Sequence, residues 1–172
     1  MSKKAWLNLE QAKAISRDIP TPFHIYNETE IRRRARALNA AFAWNPGFKE
    51  YFAVKATPNP QLLAILREEN CGTDCSSHTE LMMAEACGFL GSDIMFSSND
   101  TPAEDFCLAS KLGATINFDD IRHIPFYLDN VEAKLPELVS FRYNPGGVYE
   151  VANGIMDNPG DAKYGMTPAQ IR

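Results

Sequence analysis

With 172 residues, 45% of them hydrophobic and 23% charged, the chain has the composition of one soluble globular domain or a piece of a larger one. Its formal charge of −5 and the lack of a long basic run argue against a nucleic acid or an anionic membrane as partner. No window holds the roughly 18 apolar residues of a membrane span, and Cys71, Cys75, Cys87 and Cys107 fit neither a secreted disulfide framework nor a zinc site, which points to a reducing cytoplasm.

The opening MSKKAWLNLEQAKAISRD is amphipathic and lacks the uninterrupted apolar core of a signal peptide. TPFHIYN, Thr21 to Asn27, predicts a short strand. ETEIRRRARALNAAFAW predicts an amphipathic helix ending before Pro46, with Ile31, Ala35, Leu38 and Phe42 as its core-facing stripe and its arginines as the wet face. EYFAV is short, aromatic and β-branched, and predicts a buried strand with Lys55 at or just past its end. A helix through PQLLAILREEN, a short strand at GTDC, a helix over TELMMAEACGF and a strand at DIMFS come next. PAEDFCLASKLG predicts a helix opened by proline and closed by glycine, followed by the strand ATINF, the helix DDIRHIPFYLD and the strand ELVSFRYNP.

The strand ends, near Lys55, Cys75, Phe96, Phe118 and Tyr143, recur about every 20 to 25 residues with no hairpin signal between them. Parallel strands joined by helices are the simplest consequence, and both a doubly wound sheet and a (β/α)8 barrel fit. In either fold the C-terminal ends of the strands carry the chemistry. Polar residues gather there: Lys55; Asp74 with Ser76 and Ser77; Ser97, Ser98 and Asn99; Asn117; Arg142 with Asn144. Their recurrence at successive ends predicts a shared rim.

No G-x-G-x-x-G follows a strand and no G-x-x-x-x-G-K-[ST] occurs, so neither nucleotide-binding loop is supported. NPGG, Asn144 to Gly147, reads as a plain turn. His24, His78 and His123 lack a ligand-like spacing, and no G-x-S-x-G elbow is present. Spacing alone is compatible with Lys55 as a strand-end lysine reaching solvent. It is also the best candidate nucleophile, an amine at the mouth of a parallel sheet with the acids Asp74 and Glu80 nearby in sequence. Such an amine can form a Schiff base with an aldehyde. A pyridoxal phosphate enzyme and a Schiff-base aldolase both fit.

TPFHIYNETEIRRRARAL, YFAVKATPNPQLLAIL, CGTDCSSHTELMMA and AKYGM resemble, in order and spacing, the pyridoxal phosphate enzymes of the alanine racemase-like barrel, the diaminopimelate decarboxylases above all and the ornithine decarboxylases more distantly. The likeness runs from about Thr21 to Met166. Its most specific element is the Y-x-V-K-A motif followed by x-D-x-x-S-x-x-E. The resemblance implies a parallel (β/α)8 barrel, incomplete here at about its first five strands, with pyridoxal 5′-phosphate carried covalently by Lys55. It further implies Asp74 and Arg142 as cofactor-binding residues, Ser77, Glu80 and Asn99 at the substrate rim, and Lys163 at a homodimer interface. The implied reaction is decarboxylation of an amino acid, meso-diaminopimelate giving L-lysine in lysine biosynthesis, in the cytoplasm.

Two departures bear on the pocket: His78 replaces a small residue usual in the second motif, and Thr101 stands where many relatives carry a lysine. The alternatives are another decarboxylase or a racemase of the same barrel, and a non-catalytic cofactor-binding barrel protein. A closed barrel takes about 250 residues, so residues 28–172 are expected to form the N-terminal part of one. Residues 1–27 are expected to lead into it and to associate with a C-terminal β-domain. On that reading the 172 residues alone are expected to be inactive, because the family's glycine-rich phosphate loop and the acid at the pyridine nitrogen lie further on.

Overall fold

A computed structural model describes residues 5–147 and 164–172. Among the described residues, five strands form one parallel sheet: β1 (Tyr51–Ala53), β2 (Gly72–Cys75), β3 (Ile94–Ser98), β4 (Thr115–Phe118) and β5 (Val139–Phe141). Helices α1 (Leu9–Asp18) and α2 (Glu28–Ala41) precede β1. The crossovers carry α3 (Pro60–Glu68), α4 (His78–Ala86), α5 (Ala103–Lys111) and α6 (His123–Asn130), and α7 (Pro168–Ile171) follows β5.

The strands lie side by side in chain order. A doubly wound sheet reverses its order at a switch point. This sheet never reverses, so every crossover runs the same way and the helices cover one face. That is the arc of a (β/α)8 barrel, five strands wide.

Register sorts the side chains into the two faces. Asp74 pairs with Met95 and Ser97 with Asn117, and partners in a parallel ladder face the same side. Ile94 and Phe96 of β3 and Ile116 and Phe118 of β4 are buried beneath the helices with Leu63, Leu81, Ala84, Phe106, Ala109 and Tyr127. Phe106 is the hub. Its ring meets Tyr127 at 5.5 Å, Phe96 at 6.0 Å and Phe118 at 6.0 Å, mostly edge to face. The opposite face carries the polar set. Close approach at the sheet's base explains Gly72: a Cβ there would lie 2.6 Å from the Asp93 carbonyl oxygen and 2.7 Å from the Tyr51 ring.

Two expectations need correction. TPFHIYN forms no strand: it begins in a bend at Thr21 and Pro22, and no neighbouring strand pairs with it. Of the stripe expected on α2, only Ala35 is buried, while Leu38 and Phe42 are each 37% exposed. This helix packs mainly against α3, and its polar side chains make that contact. Among the described residues no helix is long and apolar enough to cross a membrane.

Candidate active site

Local structure delivers each side chain to the polar face. After Ala53 the chain turns through a single 3-10 turn, Val54–Ala56; Val54 is wholly buried, and Lys55, its neighbour, is exposed. Asn59 caps α3 through the amides of Gln61 and Leu62, and Pro60 at the first position needs no donor. The chain therefore leaves Lys55 at the strand end and starts a helix at once.

After β2, Ser77 caps α4 by accepting from the Glu80 amide at 3.4 Å. Glu80 bends back to accept from the Ser76 amide at 2.9 Å and from the Ser76 hydroxyl at 3.1 Å. The turn is thus closed twice. Across the sheet, Asn117 Nδ2 donates to Ser97 Oγ at 3.0 Å, as their register pairing allows. Arg142 Nη1 donates to Asp119 at 2.9 Å, and its guanidinium stands 4.8 Å from the centre of the Tyr164 ring.

Several of these groups surround a cavity of about 540 Å³, within the usual range for small-molecule sites. Lys55, Asp74, Asn99 and Arg142 line it, together with Ser76, Ser97, Asn117 and Tyr164. Ser77 and Glu80, expected at the substrate rim, build the turn behind Ser76 and are not among the residues lining this cavity. The reason is helix capping, which draws both side chains toward backbone amides. Lys163 lies outside the described residues. Tyr164 had no signal beyond the AKYG motif, whereas Ser76, Ser97 and Asn117 were visible as strand-end polar residues.

Asp74 is the electrostatic centre. Its Oδ1 is buried and makes no hydrogen bond with the protein. Burial pushes its carboxyl above the ordinary value, while the Lys55 charge pulls it down and the Glu80 charge adds to the rise. Cys75, next in the strand, points to the helix-covered side, where burial pushes its thiol up to about 12. At neutral pH that thiol stays protonated and is no nucleophile.

The two departures do not line this cavity. His78, first residue of α4, holds Nδ1 3.3 Å from the buried Asp105 carboxylate but off hydrogen-bonding geometry. Thr101, just before α5, keeps its hydroxyl buried and unpartnered.

A family model described as the pyridoxal-binding domain of pyridoxal-dependent decarboxylases matches residues 28–172. Protein TabA of Pseudomonas amygdali pv. tabaci is 43% identical over 152 residues, which cover 88% of this chain and 34% of that protein. Diaminopimelate decarboxylase of Thermoplasma acidophilum is 32% identical over 149 residues, covering 86% of this chain and 35% of that one. The chain thus spans about a third of the length of these relatives. Among solved structures, diaminopimelate decarboxylase from M. jannaschi superposes with a TM-score of 0.77 at 21% identity, over 92% of this chain and 38% of that one, a likeness of fold.

Proposed function

The chain belongs to the pyridoxal-dependent decarboxylases, and we propose that in the intact protein this cavity serves removal of carbon dioxide from an amino acid, meso-diaminopimelate giving L-lysine. The observation that carries the reading is the convergence of Lys55, Asp74 and Arg142, at the ends of β1, β2 and β5, on one cavity. Diaminopimelate decarboxylases at 32% and 30% identity support the substrate.

The donor set fits pyridoxal 5′-phosphate, the cofactor of the family. Lys55 offers a primary amine that can hold an aldehyde covalently, Arg142 offers a guanidinium to anionic oxygens, and Asp74 keeps a buried carboxylate oxygen unpartnered. When bound, the cofactor supplies the ring that accepts the electron pair released with carbon dioxide. Lys55 would hold it covalently, and once the Lys55 amine is released and protonated, its Nζ could deliver the proton that the α-carbon gains. Ser76, gripped by Glu80, and Ser97, gripped by Asn117, orient polar groups along the wall. Arg142 orients an anionic group on the opposite side.

Residues 28–172 are read as the N-terminal part of the barrel, with residues 1–27 leading in and associating with a C-terminal β-domain. That α1 buries none of its residues supports such an association. The family resemblance supports a cytoplasmic homodimer with Lys163 at its interface. A second reading, another amino acid as substrate, draws support from the 43% identity to Protein TabA and from His78 and Thr101.

Carbon dioxide release by the intact protein, assayed on meso-diaminopimelate beside a panel of L-amino acids, tests the reaction. Turnover on diaminopimelate is expected, and none from residues 1–172 alone. Turnover on a different amino acid selects the second reading. Borohydride reduction and peptide mapping should put the pyridoxyl group on Lys55, and a label on Lys111 or Lys163 would overturn that role. Lys55→Arg should abolish turnover, since a guanidinium stays protonated and forms no imine.

A further inference from the structure

We propose that Asp119 is a positioning residue: it fixes the Arg142 guanidinium so that its open face meets an anionic group bound in the cavity. This rests on the reading of Arg142 as a ligand-facing residue. Asp119 is the first residue past β4 and Arg142 the first past β5, and these strands are neighbours. The ladder continues one step beyond β5, with the Arg142 amide donating to the Phe118 carbonyl at 3.0 Å. That bond sets the two side chains next to each other, and Nη1 meets the carboxylate at 2.9 Å.

The pair is asymmetric. The Asp119 side chain is 6% exposed and the Arg142 side chain 48% exposed. A carboxylate withdrawn from water needs a charged partner, and Arg142 supplies it from the cavity side. Asp119 does not itself line the cavity, whereas Arg142 does. The Tyr164 ring bounds the guanidinium on another side at 4.8 Å. Gly165 permits that placement: its φ is +83°, and a Cβ there would lie 3.0 Å from the Arg142 carbonyl oxygen. A long flexible side chain is thereby confined between a carboxylate and a ring while its exposed half faces the ligand space. A guanidinium has five N–H donors, so one edge can serve Asp119 while another serves a ligand oxyanion.

The test is a double-mutant cycle on pyridoxal 5′-phosphate binding to the cofactor-free intact protein, with the visible absorption band of the bound cofactor as a second readout. Asp119→Asn and Arg142→Gln are each expected to weaken binding roughly tenfold, the effect of losing a hydrogen bond to a charged group. The double variant should be no weaker than Arg142→Gln alone within about twofold, and both single variants should shift the band in the same direction. Equal losses from Asp119→Asn in the wild-type and Arg142→Gln backgrounds would overturn the proposal, as would no loss at all. If Arg142→Gln itself leaves binding unchanged, the ligand-facing reading of Arg142 falls and the proposal with it. If Arg142→Gln weakens binding and Asp119→Asn does not, the proposal falls alone. Should Asp119→Asn fail to fold, Asp119→Glu takes its place in the cycle, since it keeps the charge and displaces it by one methylene. A loss that vanishes in the Arg142→Gln background then supports the coupling, and an equal loss in both overturns it.

Discussion

Asp74 shows how one position couples stability to the site. Its carboxylate is held in a half-buried place with an unpartnered oxygen, and burial, the largest influence, raises its pKa above the ordinary 3.8. Just above that ordinary value the folded state therefore binds more protons than the unfolded one. By linkage, stability must fall as pH rises through this window and then stay level. The Lys55 charge opposes the rise, so the fall is smaller than burial alone would cause. Asp74→Asn, which cannot ionise, should make the cofactor-free protein more resistant to urea at pH 7, with the gap over wild type narrowing as pH drops toward 3.8. A variant less stable at pH 7 would mean that attraction to Lys55 outweighs burial. A carboxylate kept under such conditions has a use for its charge, and the proposed use is beside the Lys55 amine.

At the scale of elements, α2 is attached to the body by charge more than by its apolar stripe. Arg36 reaches the Glu69 carboxylate with Nε and Nη2, both at 2.6 Å, and Arg32 adds Nη1 at 3.0 Å. Asn39 Nδ2 donates to the Glu69 carbonyl at 2.9 Å, so the C-terminal end of α3 is gripped by three side chains of one helix. The guanidinium of Arg36, then that of Arg32, lowers the Glu69 pKa from 4.5 to about 2. A depressed carboxylate stabilises the fold above its unfolded pKa, and this contribution is lost as pH falls through the folded value. Glu69→Gln is therefore expected to lower the thermal midpoint at pH 7, with the difference from wild type closing between pH 4.5 and about 2. A constant difference across that range would assign the effect to packing instead.

For the whole molecule, stability concentrates in the layer between the sheet and its helices, and Phe106 is where the elements meet. The ring is 1% exposed, joins the side chains of β3, β4 and α6, and lies on α5. Phe106→Ala should cost about 3–5 kcal/mol, the usual loss for a buried aromatic in a close-packed core. Because strands and helices share that ring, the loss should appear as one lowered transition in near- and far-ultraviolet circular dichroism alike. Separate transitions by the two probes would show that the helices and the sheet are not one cooperative layer. The cavity lies across the sheet from this layer, so the rigid side of the molecule supports the polar side.

Much of this was legible in the chain. Alternating periods of two and 3.6 located β2 at GTDC, β3 at DIMFS and β4 at ATINF to within a residue, because those patterns follow from where a strand or helix points its side chains. Lys55 was legible as a strand-end lysine for the same local reason, and its pairing with Asp74 in one motif through the family resemblance. Three other features became visible only in three dimensions. The consecutive strand order decided between a doubly wound sheet and a barrel arc, since both produce the same alternation. TPFHIYN had a strand's composition but no ladder to join, and pairing is a property of neighbours, not of one segment. Asp119 and Arg142 look like ordinary strand-end charges in the sequence, and Ser97 and Asn117 like ordinary strand-end polar residues. Each pair comes together because parallel strands set residues twenty or more positions apart in register, and only the folded sheet decides which ends meet.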